Sequence, residues 1–128
     1  MPVLSTFGAI AARGFGWIGA LAAGNTGLFA WGDGASGQLG LGDASGRSSP
    51  VQVGALTTWS KIIGGLTCGF GIDSSKNLWS WGQNSGGQLG LGTQTASYNS
   101  PVQIASGTSW WTVSHNITGN FESAIRSI

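Results

Sequence analysis

Few residues in this sequence could do chemistry. It has one histidine, His115, one cysteine, Cys68, and four acids, Asp33, Asp43, Asp73 and Glu122. Catalysis needs titratable groups that converge. His115 lies in Val113-Ser-His-Asn116 and reads as a solvated turn histidine rather than a general base. Cys68 has no histidine in its sequence neighbourhood and reads as a small buried hydrophobe. One cysteine and one histidine cannot build a structural zinc site within one chain. Asp33 and Asp43 flank the stretch Gly37-Gln-Leu-Gly-Leu-Gly42, but the equivalent positions fifty residues on are Gln83 and Thr93. A metal or acid/base site encoded by a repeat would tend to appear in both copies, so these are turn-forming aspartates. Gly14, Gly16 and Gly19 make a formal G-x-G-x-x-G. With no strand before it, no helical pattern after it and Trp17 inside it, a dinucleotide site is not expected. Asn116-Ile-Thr118 fits a glycosylation sequon, which matters only in a secreted chain. No catalytic, cofactor-binding or metal-binding residue is expected, and the chain is expected not to be an enzyme.

The seven tryptophans could instead stack on a sugar or a base. Four of them, Trp31, Trp59, Trp81 and Trp110, recur at equivalent places in an internal repeat, which favours packing. Trp79 aligns with Phe29 and shares a strand role. Trp17 and Trp111 are the candidates for an exposed contact surface.

The elements that must hold these residues are set by a duplication. Leu28-Phe-Ala-Trp31-Gly32 recurs as Leu78-Trp-Ser-Trp81-Gly82, and Gly37-Gln-Leu-Gly-Leu-Gly42 recurs identically as Gly87 to Gly92, each fifty positions on. Ser49-Pro-Val-Gln52 recurs as Ser100-Pro-Val-Gln103, and Trp59 with Ile62 matches Trp110 with Val113, each fifty-one positions on. Landmarks in one order at a near-constant offset require a tandem repeat. The Leu-x-x-Trp-Gly stretches alternate as half-buried strands do. The glycine-rich stretches are too rich in glycine for a helix or strand interior, and read as fixed loops whose leucines plug into the core. Pro50 and Pro101 suit edge strands, since proline cannot donate to a ladder. About four short strands fall in each repeat, and none shows helical periodicity. The expected core is Leu28, Trp31, Leu39, Leu41, Trp59 and Ile62 in the first copy. Its counterparts are Leu78, Trp81, Leu89, Leu91, Trp110 and Val113.

Leu-Trp-x-Trp-Gly-x-Asn-x-x-Gly-Gln-Leu-Gly-Leu-Gly from residue 78 to 92, then Ser-Pro-Val-Gln, then Trp-x-x-Val, closely resembles the repeat of the chromosome-condensation-regulator (RCC1-like) β-propeller family. The resemblance implies an all-β chain of two tandem four-stranded propeller-type blades, unclosed within one chain. The division is residues 1–26 as a Gly/Ala-rich leader or docking segment, 27–76 as the first repeat and 77–128 as the second. The usual His-Thr pair of the family is replaced by Leu66-Thr-Cys-Gly69 and Ile117-Thr-Gly-Asn120. Aligning Ser123-Ala-Ile-Arg126 with Phe70-Gly-Ile-Asp73 needs about two extra residues. Family propellers usually close with about seven blades, so two leave an open sheet edge, a liability in an isolated domain. Assembly of several chains is the expected remedy.

Composition narrows the setting. Five Lys and Arg stand against four Asp and Glu, which argues against nucleic acid or an anionic membrane as partner. Only 7% of residues are charged, against roughly 25% in an ordinary soluble domain. So little charge keeps copies poorly apart and suggests a surface covered in use by other protein chains. The apolar stretch Gly14–Gly24 follows Arg13, but the first dozen residues hold no Lys or Arg and the stretch runs directly into strand-like sequence at Leu28, so a signal peptide is not expected. Leu4-Ser-Thr-Phe-Gly-Ala-Ile-Ala-Ala-Arg-Gly-Phe-Gly16 resembles the leader that precedes such repeats in structural proteins of marine tailed bacteriophages. That resemblance implies a virion protein, a capsid decoration or tail component, self-associating or bound to other virion proteins. A cytoplasmic interaction module of GTPase-regulator type and a lectin-like binder are the alternatives. Fold alone does not choose among them.

Overall fold

The computed structural model describes residues 26–105, 109–115 and 122–127. Among these, all regular structure is β. The strands are β1 (Phe29–Gly32), β2 (Arg47–Gln52), β3 (Trp59–Gly64), β4 (Cys68–Asp73), β5 (Leu78–Gln83), β6 (Ser97–Ile104), β7 (Ser109–His115) and β8 (Glu122–Ser127). They form three antiparallel sheets, β1-β2, then β3-β4-β5-β6, then β7-β8. The architecture is an unclosed all-β propeller segment. Its eight described strands are two blades' worth, phased half a repeat away from the sequence units. The central sheet takes two strands from each repeat, and half a blade lies on either side of it.

Local chemistry explains the strand pattern. β1 and β5 each carry a bulge at the tryptophan of Trp-Gly, between Ala30 and Gly32 and between Ser80 and Gly82. Gly32 and Gly82 follow with φ of 110° and 102°, which side-chain-bearing residues rarely adopt. Pro101 lies on β6, an edge of the central sheet, where no donated ladder bond is asked of it. In β4, alternation sends Gly69 and Gly71 to one face, opposite Trp81 and Trp79, and Phe70 and Ile72 to the other. A Cβ on Gly69 would lie 2.6 Å from the Trp81 ring, so only glycine lets that ring lie across the strand.

Every residue of β4, inside the central sheet, is buried. One face packs its Cys68, Phe70, Ile72 and Leu78 with Leu89, Val113 and the half-buried Trp110 of the β7-β8 sheet. Ile72 and Leu89 are fully enclosed, each contributing about 1.5–3 kcal/mol relative to exposure. The other face stacks Trp59 edge-on against Trp79 and Trp81, with ring centroids 6.1 and 5.9 Å apart.

The glycine-rich loop is fixed by asparagine in the second repeat. Asn84 is fully buried. Its Oδ1 accepts from Leu89 N at 3.0 Å, and its Nδ2 donates to Thr93 O at 2.9 Å. Those bonds hold Leu89 in the core.

Candidate protein-interaction site

Asp33 and Asp43 are used locally. Asp33 accepts from Ala35 N and Gln38 Nε2 at 3.3 and 3.2 Å. Asp43 accepts from Ser45 N at 2.9 Å and pairs with Arg47 at 2.8 Å, and these contacts hold its carboxyl below the ordinary value. Asp33 ties down the loop through Gln38, and Asp43 fixes the turn that follows it. Cys68 is buried within β4. His115 ends β7 in register with Glu122 on β8. Among the described residues, no three His, Cys, Asp or Glu side chains come together as a metal would need.

Asp73, which sequence reasoning left without a role, is the most heavily bonded acid. It is 3% exposed and closes the β4–β5 hairpin. It accepts from Ser75 N, Asn77 N, Asn77 Nδ2 and Trp79 Nε1 at 2.8 to 3.0 Å. Burial raises its pKa, but the donors from Asn77, Trp79 and Ser75 outweigh it and hold the carboxyl below the ordinary value.

The described surface also carries apolar groups, and the duplication shows how such surface is covered between repeats. Trp81 is 3% exposed. Its Nε1 donates to Gln38 O at 2.8 Å, and a Cβ built on Gly40 would lie 3.1 Å from its ring. The loop of the first repeat therefore seats on the tryptophan of the second, and Gly42 N continues the contact by donating to Asn99 O at 2.7 Å. This is the interface between neighbouring blades.

The expected core divides along that interface. Leu39, Trp59, Leu78, Trp81, Leu89 and Val113 are buried, while Leu28, Leu41, Leu91 and Trp110 are half-buried. Trp31 and Ile62 depart from the expectation, being 60% and 43% exposed. The local fold is the same in both copies, and the difference lies in what covers each among the described residues. Trp31 occupies the place of Trp81, but among the described residues no preceding loop seats on it. Ile62 occupies the place of Val113, which packs against β4. The first half-blade has no described strand in β4's place. With Phe29, half exposed, these side chains line a groove of about 360 Å³ that also reaches Leu66 and Trp81.

Trp111, expected at a contact surface, is 53% exposed, with Lys76 Nζ 4.9 Å above its ring and Lys61 Nζ donating to its carbonyl at 2.7 Å. Trp17, the leader at residues 4–16 and the sequon at 116–118 lie outside the described residues. No described helix is long and apolar enough to cross a membrane.

The described strands define a propeller-repeat scaffold. The family described as the regulator of chromosome condensation (RCC1) repeat matches residues 27–71 and 77–117. The chain belongs to that family. Solved structures agree in fold. Human WBSCR16 is similar with a TM-score of 0.62 and 24% identity, over 70% of this chain and 24% of that one. Prp20p from Saccharomyces cerevisiae is similar with a TM-score of 0.57 and 23% identity, over 73% and 25%. Yeast RCC1 (Prp20), solved bound to Kap60, is similar with a TM-score of 0.58 and 16% identity, over 88% and 31%. The Prp20p structure is described together with its binding to Gsp1p and histones. This chain spans between a quarter and a third of those proteins. Comparison with curated protein sequences gave no match.

Proposed function

We propose that the chain is a non-catalytic protein-binding component, and that it serves as a structural part of a tailed-bacteriophage particle, a capsid decoration or tail protein. The observation that carries the binding half is the uncovered aromatic face of the first half-blade, Phe29 and Trp31, beside Ile62. Exposed apolar groups of this size, gathered in one groove, mark a place for protein contact. Asp33, Asp43 and Asp73 are each engaged in a turn, in keeping with that reading. The virion half rests on the leader from Leu4 to Gly16 and on a composition with 7% charged residues, suited to a component packed among protein neighbours. Partners of the kind that bind Prp20p stay outside the proposal, since this chain spans only 25% of that protein.

The test is mass spectrometry of gradient-purified phage particles that encode the chain. It is expected at a fixed ratio to the capsid or tail proteins after stringent washing. Recovery only in the soluble fraction of the lysed host would overturn the virion assignment in favour of a cytoplasmic role.

A further inference from the structure

Three features of the described chain ask for the same neighbour. The edge of β1 facing away from β2 has no partner strand among the described residues, and neither has the edge of β8 facing away from β7. Trp31 and Phe29 on β1 are exposed, and Ile62 behind them is exposed as well. The second glycine loop is uncovered where the first is packed. A Cβ on Gly40 would meet the Trp81 ring at 3.1 Å, whereas at Gly90 the nearest atom is Ile104 Cδ1 at 3.9 Å, and at Gly92 there is nothing within 4 Å.

The central sheet shows what fits these vacant edges. β4 pairs with β5 there, Phe70 opposite Ser80 and Gly71 opposite Trp79. β8 is the repeat equivalent of β4. The registers agree, since Trp59 pairs with Asp73 and Trp110 with Arg126, with a bulge at the next residue in both sheets. β1 is in turn the repeat equivalent of β5.

We propose that a second copy of the chain covers this face, adding its β8 to the free edge of β1 and seating its Gly87–Gly92 loop on Trp31. Pairing sets Ser123 of one copy opposite Ala30 of the next, and Ala124 opposite Phe29. One occupant then accounts for every exposed group in the set. The loop covers Trp31 as Gln38 and Gly40 cover Trp81. β8 covers Ile62 as β4 covers Val113. The β7-β8 half-blade and the β1-β2 half-blade become one four-stranded blade. The contact is heterologous, so copies follow one another head to tail and close into a ring when the rotation allows. The two junctions are not identical: Glu122 and Ala124 stand where β4 has Gly69 and Gly71, so the Trp31 ring meets the loop without lying across the strand as Trp81 does.

This contact rests on the reading of the chain as a protein-binding component and specifies its first partner. The test mixes full-length chains carrying Ala30→Cys with chains carrying Ser123→Cys under mild oxidation, read on a non-reducing gel. A second mix pairs Phe29→Cys with Ala124→Cys. Adjacent antiparallel pairs alternate in spacing, so one of the two mixes falls at bonding distance even if one variant folds poorly. Cys68 is buried and serves as the silent background. The expected result is a disulfide-linked dimer as the major species in at least one mix, and only a trace when each variant is oxidised alone. Equal cross-linking of a single variant with itself would overturn the head-to-tail contact. So would the absence of cross-links in both mixes, the result expected if residues 1–25 of the same chain cover β1. A chain that fails to cross-link yet stays on purified particles overturns this contact and spares the virion reading.

Discussion

At Asp73 one carboxylate accepts four hydrogen bonds and ties the β4–β5 turn to the Trp79 ring. Its lowered pKa has a definite consequence. The unfolded chain, with an ordinary value of about 3.9, binds the proton more readily than the folded one. The stabilisation is therefore fully present above that value and is lost as pH falls through the folded pKa. Asp73→Ala leaves buried donors unpaired and is expected to cost about 1–3 kcal/mol at pH 7. The gap to the unsubstituted protein should shrink in denaturant titrations below about pH 4, where protonation weakens the same bonds. An equal gap at pH 3 and pH 7 would show that the charge contributes nothing. Comparison of the repeats could not reveal this role. The equivalent of Asp73 in the second copy is Arg126, so the residue has no repeat signature. Asp33 and Asp43 were legible as turn formers because each acts within a few residues of itself.

Strands and loops follow from the duplication more directly than burial does. Trp31 and Trp81 sit in the same motif, in the same bulge, before a glycine of the same conformation. One is 60% exposed and the other 3%. The difference lies in what packs on each, and a neighbour leaves no mark in the residue's own motif. The phase of the blades was hidden for a similar reason. The repeat begins at the Leu-x-x-Trp-Gly strand, but antiparallel pairing joins that strand to the end of the preceding repeat, so the central sheet crosses the boundary at residue 76. The loop-on-tryptophan contact can be tested within one chain. Trp59 and Trp81 are about equally buried, but Trp59 Nε1 has no acceptor among the described residues, whereas Trp81 Nε1 donates to Gln38 O. Both Trp→Phe changes lose ring area. Trp81→Phe also leaves the part-buried Gln38 carbonyl without its donor, and is expected to cost about 0.5–1.5 kcal/mol more than Trp59→Phe in chemical denaturation. A Trp59→Phe protein as unstable as Trp81→Phe would remove the Gln38 bond from the account.

For the whole molecule, open edges and scarce charge point the same way. Exposed strand edges are usually blunted by charge or by cover, and a chain with 7% charged residues has little charge to spend on it. The two half-blades at opposite ends are complementary in strand, register and loop, so covering one edge with the other removes both. The measurement that bears most directly on this is the solution mass of the full-length chain by light scattering over a tenfold concentration range. The account predicts an oligomer of discrete mass across the range. It also predicts that Trp31→Ala, which removes the seat for the neighbouring loop, shifts the mass toward a folded monomer. A well-folded monomer of the unsubstituted chain across the whole range would contradict the account, and would mean that something other than a second copy covers the Trp31 face.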